Sequence, residues 1–227
     1  MKDGLIDRIL IVISTALMLA AIYVIFFYAP TERMMGLVQK IFYFHLAMAF
    51  TAFLSYFVAF VCGVLYLVKK DIKWDIIGSS SIEIGVVLTT LVLITGSLWA
   101  RPIWNTWWTW DPRLTTSFIL WLIYVAYIIL RMSVEQVEKR ATFCAVMAIV
   151  GFIDVPIVFL SARLWRTIHP VVIKSRSIDI EPAMLTALLI SMAAFLLFWF
   201  TLIRIRSRVD FIELRIRNLE KIRRGGT

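Results

Sequence analysis

The chain has 227 residues, of which 61% are hydrophobic and only 17% charged, with a net charge of +9 and a mean hydropathy of +0.87. That balance excludes a soluble domain of this size and leaves an integral membrane protein. It also leaves no aromatic-interleaved basic soluble surface for a nucleic acid, so the excess positive charge is assigned to topology and anionic lipid.

Six apolar runs each supply the roughly 20 residues that a helix needs to cross the hydrocarbon core. They are 9–29, 41–68, 82–98, 112–130, 141–162 and 183–203. The expected fold is an all-α integral membrane protein of six transmembrane helices, with residues 1–203 as one six-span domain and 204–227 as a basic tail. The first run is long and no small-residue cleavage pattern follows it, so it reads as a span rather than a signal peptide. Span two opens with KIFYFHLAMAF, which puts His45 in its first turns. Glu83 opens span three and is expected near the lipid headgroups. Asp111-Pro112 is a helix start, Asp as N-cap and Pro at the first helical position, and it opens span four.

Span five carries Asp154 two residues before Pro156. An intramembrane carboxylate there is either a functional group facing the bundle interior or a polar contact at a proline kink. In the tail, Ile212, Ile216, Leu219 and Ile222 form one apolar stripe with Lys and Arg around it. Such a helix suits the inner leaflet, or docking onto a partner protein.

Six spans put both termini on one side. That side collects sixteen Lys and Arg, eight of them in the tail, against eight on the other. The bias makes both termini cytoplasmic and places the segment between spans three and four outside the cytoplasm.

That outer segment holds five of the nine tryptophans. Trp99, Trp104, Trp107, Trp108 and Trp110 lie in the run WARPIWNTWWTWDPRLT with Arg101, Asp111 and Arg113. If 104–111 is helical, Trp104, Trp107, Trp108 and Asp111 share one face and Trp110 points elsewhere. Arg113 sits in the first turn of span four, against the helix dipole, which suits an anionic partner or Asp111 itself. The only two histidines, His45 and His169 (in RLWRTIHPVVI), fall on the same side at similar depth. Two imidazoles from different segments are the right donors for the axial positions of a haem iron, and indoles stack on a flat π-system. Arg166, Lys174 and Arg176 flank His169 as solvated loop charges, or as a rim for propionates or an acidic partner surface. An aromatic belt with boundary histidines is the structural alternative.

Other chemistry is missing. Cys62 and Cys144 lie within spans, and there is no CxxC pair and no CxxCH for covalent haem. No Walker-type phosphate loop occurs, so the chain carries no ATPase site of its own.

The run ITGSLWARPIWNTWWTWDPRLTTSFILWLIY resembles the tryptophan-rich "WWD" signature of cytochrome c biogenesis haem-handling proteins, and within them the haem exporter protein C (CcmC) family. The likeness extends to KIFYFH, to LWRTIHP and to the six-span layout. It implies a protein that holds haem, b-type, non-covalent and transient, at the outer face of a bacterial inner membrane. The matching His45 and His169 would be the axial ligands, and the segment Trp99 to Arg113, with Asp111, the haem platform. It implies presentation to a periplasmic haem chaperone that binds the haem covalently. It also implies membership of an ABC-type complex with an ATPase subunit, another membrane subunit and a small single-span subunit. The chain itself would be a haem-transfer subunit rather than an enzyme.

Two positions depart from the family pattern: Ala100 stands where Gly usually follows the first Trp, and Asn105 where Gly is common. Asn tolerates left-handed backbone angles and Ala does not, so a different turn is expected at Ala100. Two other haem readings stay open, a b-type electron-transfer cytochrome and a subunit of a holocytochrome c synthase. The former usually places paired histidines inside its spans, and the latter is larger with more histidines.

Overall fold

The computed structural model describes residues 2–33, 35–165, 181–223 and 225. Its helices are α1 (Lys2–Tyr23), α2 (Ile41–Lys69), α3 (Ile72–Trp104), α4 (Pro112–Ser133), α5 (Val137–Phe152), α6 (Asp154–Leu164) and α7 (Pro182–Arg223). A π turn, Val24–Tyr28, extends α1, and a 3-10 turn, Leu37–Lys40, leads into α2. Six helical segments are long and apolar enough to cross a membrane, α5 and α6 jointly making one of them. No strand forms among the described residues. The protein is thus a six-span all-α membrane protein.

α2 lies at the centre and packs on α3, α5 and α7, while α1 leans on α7 and leaves most of its surface to lipid. Between apolar lipid and an apolar helix there is no hydrophobic drive to associate, so close backbone approach and interhelical hydrogen bonds must hold the bundle. The α2–α3 seam shows both. A Cβ added at Gly78 would lie 3.1 Å from Cys62 Cβ. At Gly85 it would lie 2.8 Å from the Tyr56 ring and 2.9 Å from Ser55 Cβ. At Gly96 it would lie 3.2 Å from His45 Cε1. These three meetings run in opposite directions along the two helices at matching steps, so they define one antiparallel register.

Polar bonds lock that register. Ser81 Oγ donates to the Ser55 carbonyl at 2.9 Å, and the Tyr56 and Thr89 hydroxyls meet at 2.7 Å. Trp199 Nε1 of α7 donates to Ser55 Oγ at 2.6 Å. The Tyr56 ring stacks on Tyr124 of α4 with centroids 3.8 Å apart. Tyr56 therefore has no slack in any direction.

The elements outrun the apolar stretches. α3 begins at Ile72, not near residue 82, with Asp71 capping it: the Asp71 side chain accepts from the Lys73 backbone N–H at 3.0 Å. The Lys73 ammonium beside it holds the Asp71 carboxyl below the usual carboxylate range. Charges that shorten the hydropathic run are paired inside the bundle. Asp75, with 3% of its side chain exposed, takes a two-pronged bond from Arg131 of α4 at 2.8 and 2.9 Å. Glu83 lies about three turns into α3 rather than at its start, and meets Arg206 of α7 at 2.7 Å. Asp7 of α1 takes both Arg204 and Arg208. Paired carboxylates remove the cost that an isolated charge at this depth would carry.

Span five breaks in two. Ile153 separates α5 from α6, because Pro156 lacks an N–H and its ring crowds the carbonyl four residues back. The expected kink is confined to Ile153, which itself keeps helical angles (φ −59°, ψ −31°), with Asp154 in the first turn of α6. α7 does not break at residue 204. It continues as one 42-residue helix to Arg223, about 63 Å long, with Ile212, Ile216, Leu219 and Ile222 exposed. Cys62 and Cys144 are free and buried.

The seam yields one test. Gly85→Ala forces a methyl group into the Tyr56 ring, which stacking and its hydrogen bond prevent from yielding. We expect a loss of about 1–3 kcal/mol of stability, read by thermal unfolding in detergent micelles.

Candidate functional site

The first turns of α2 and α4, the last turns of α3 and part of α6 surround an open cleft of about 850 Å³, solvent at its mouth included. His45 comes from the first turns of α2, Trp99 and Trp104 from the last turns of α3, Trp108 from the linker, Arg113 from the start of α4, and Val158 from α6. Phe42, Leu46, Phe53 and Leu93 make the walls apolar. Arg113 is the only charged side chain lining the cleft among the described residues.

Asn105 decides the shape of the tryptophan segment. It adopts left-handed angles (φ 56°, ψ 25°) and ends α3. Arg101 Nη1 donates to the Asn105 carbonyl at 2.8 Å and to its side-chain oxygen at 2.7 Å, which clamps the turn. Residues 105–111 are not helical, so the face expected to join Trp104, Trp107, Trp108 and Asp111 does not exist. The tryptophans split instead. Trp99, Trp104 and Trp108 line the cleft. Trp107 and Trp110 are 56% and 74% exposed, and the Arg101 guanidinium lies over the Trp107 ring, 5.9 Å from its centroid. Ala100, where a different turn was expected, is buried within the unbroken helix. The turn falls at Asn105, the position whose side chain tolerates it.

The aromatic rings of the wall fall into two groups. Trp99 stands edge-on to both Phe42 and His45, each with centroids 6.0 Å away. On the far side Trp108 meets Trp110 and Phe118 edge-on, at 5.9 and 6.0 Å. Asp111 caps α4 as the sequence predicts, its Oδ1 accepting from the Arg113 N–H at 2.9 Å, with Pro112 at the first position. Asp111 thereby sets where Arg113 leaves the helix, and Arg113 rather than Asp111 reaches the cleft.

Two buried indole donors, Trp99 Nε1 and Trp108 Nε1, have no hydrogen-bond partner among the described residues. Buried donors without acceptors are costly, and both sit in this cleft. A planar apolar ligand with carboxylates at its edge fits these residues: aromatic walls for its faces, N–H donors and one cation for its anionic groups. His45 adds an imidazole, a ligand for iron. Among the described residues no three His, Cys, Asp or Glu side chains gather, and His45 is the one side chain of these types that lines the cleft. His169, with Arg166, Lys174 and Arg176, lies outside the described residues.

Two residues of the site carry no chemistry of their own and escape a motif search. Thr95 Oγ1 lies 3.0 Å from His45 Nδ1, and Gly96 is the flat surface against which the His45 ring rests. Their only sequence signal is position, one turn before Trp99 on an apolar helix.

The sequence model of the family described as Heme exporter protein C matches residues 3–222. The protein named Heme exporter protein C of Bradyrhizobium diazoefficiens is 32% identical over 194 residues, covering 85% of this chain and 74% of that relative. Its namesake in Rhodobacter capsulatus is 29% identical over 201 residues, 86% of this chain and 82% of the relative. That of Escherichia coli is 30% identical over 192 residues, 84% of this chain and 78% of the relative.

The split between the tryptophans is directly measurable. Trp108→Ala removes a wall of the cleft and should weaken haemin binding about ten-fold, the equivalent of one aromatic contact of about 1.5 kcal/mol. Trp107→Ala should leave affinity within about two-fold, since its ring lies outside. A fluorescence-quench titration with haemin reads both variants.

Proposed function

The chain belongs to the Heme exporter protein C family, and on that premise we propose that it holds haem at the outer face of the cytoplasmic membrane and presents it to a periplasmic haem chaperone during maturation of c-type cytochromes. The observation that supports this most is the cleft, where an imidazole, three tryptophans, two unpaired indole donors and one cation converge in apolar surroundings.

Each residue has a part in this reading. His45 supplies one axial nitrogen from α2. His169, from the segment between α6 and α7, supplies the other, so the two ligands come from opposite ends of the sequence. Trp99, Trp104 and Trp108 form the platform against which the tetrapyrrole faces lie. Arg113 and the Trp99 and Trp108 indole N–H groups meet its propionates. Trp107 and Trp110, exposed beside the mouth, offer the apolar surface on which a chaperone docks. When bound, haem supplies a metal centre with two axial positions for protein nitrogens and two carboxylates at one edge. Binding is b-type, non-covalent and transient, which suits a subunit that must give its haem up. An ATPase subunit, a second membrane subunit and a small single-span subunit complete the ABC-type complex. ATP use belongs to that partner, and this chain assists haem transfer without its own nucleotide site.

The ligand assignment is tested by optical spectra of the purified protein after haemin loading. His45→Ala and His169→Ala should each lose the bound-haem absorption band, and a wild-type spectrum in either variant overturns ligation by that residue. The topology is tested separately. A periplasm-dependent phosphatase fused after Asn105 should be active and the same reporter fused after Lys70 inactive; the reverse pattern overturns the outer placement of the cleft.

A further inference from the structure

We propose that Thr95 is a positioning residue for His45, and that with Gly96 it selects which imidazole nitrogen is offered to iron; this rests on the reading of His45 as an axial ligand. A hydroxyl has one proton. Thr95 Oγ1 donates it within its own helix, to the Leu91 carbonyl at 2.7 Å and, more weakly, to the Val92 carbonyl at 3.2 Å. Both are pure acceptors, and a proton directed to them leaves the Oγ1 lone pairs for the imidazole. In that arrangement the 3.0 Å contact between Thr95 Oγ1 and His45 Nδ1 is made by Nδ1–H donating and Thr95 Oγ1 accepting. A neutral ring protonated at Nδ1 carries its lone pair on Nε2. Thr95 thereby makes Nε2 the metal-binding nitrogen.

The seat has three parts on one helix face. Thr95 takes Nδ1. Gly96 leaves room for Cε1, since a Cβ there would approach it to 3.2 Å, and any larger side chain tips the ring. Trp99, one turn further, stands edge-on to the imidazole at 6.0 Å and closes the other side. A donor bond from the remote nitrogen of a ligating histidine fixes its tautomer and raises its basicity, and such partners are worth about 10–100-fold in metal affinity. A more basic axial nitrogen stabilises the ferric form and so lowers the potential of the bound haem.

Thr95→Val keeps the shape and removes the acceptor; Thr95→Ser restores it. With haemin as probe, Thr95→Val should bind at least about ten-fold more weakly, and the midpoint potential of the haem it retains should move positive. Thr95→Ser should return both toward wild type. Wild-type affinity and potential in Thr95→Val overturn the proposal. If His45→Ala still loses its haem, the ligand reading survives that failure; if His45→Ala keeps a wild-type spectrum, the ligand reading falls first. A measurement without haem guards against a misfolded variant. The chain has two histidines, so ¹⁵N-histidine labelling of the His169→Ala protein isolates His45. At alkaline pH the proposal requires a protonated Nδ1 and an unprotonated Nε2 in the haem-free protein. The opposite tautomer, or an equal mixture of the two, refutes it.

Discussion

The closeness of α2 to α3 is the constraint on which the rest hangs. Lipid offers these helices nothing to escape from, so they are held by backbone proximity and a few directional bonds. Gly78, Gly85 and Gly96 each receive a partner side chain from α2, with no room for a methyl group at Gly85 and only tight room at the other two. Because an antiparallel pair has one register, the meeting of Cys62 with Gly78 far from the cleft and of Tyr56 with Gly85 in the middle dictates the meeting of His45 with Gly96 at the cleft. The site is thus positioned from a distance, by packing with no chemical role. Tyr56 extends the constraint to α4 through its stack on Tyr124, and Ser55 extends it to α7 through Trp199. Arg113 in the first turn of α4 inherits its place from the same contacts.

Hydropathy made the six spans legible, but not their true ends. Asp75 and Glu83 cut short the apolar run of span three. Their counter-ions lie 56 and 123 residues further along the chain, and no local window can see a charge cancelled from that far away. Pro156 announced a distortion in span five, and Asp111-Pro112 announced both the cap and the start of α4. These were local signals with local consequences, and both were readable.

The candidate site was half legible. His45, Trp99, Trp104, Trp108 and Arg113 stand out as residue types whose chemistry is conspicuous in an apolar chain, and the fold brings them to one cleft. Trp107 and Trp110 stand out equally, yet lie outside it. The difference comes from Asn105 alone: one residue in the left-handed region, clamped by Arg101, turns a continuous helical face into two separate sets of rings. A helical wheel assumes the backbone continues and so misassigns Trp107. Thr95 and Gly96 were invisible for the opposite reason, since their importance is what they leave open or accept, not what they carry.

The unbroken course of α7 ties distant parts of the molecule into a single mechanical body. Its first residue, Pro182, follows closely in sequence on the stretch containing His169, and its last turns stand clear of the other helices. Between them Arg204, Arg206 and Arg208 fasten it to α1 and α3. These pairs grip the rod, about 63 Å long, just past its midpoint, and its first half packs on α1 and α2. Whatever grasps the protruding arm therefore holds the same continuous helix that follows the His169 stretch in sequence.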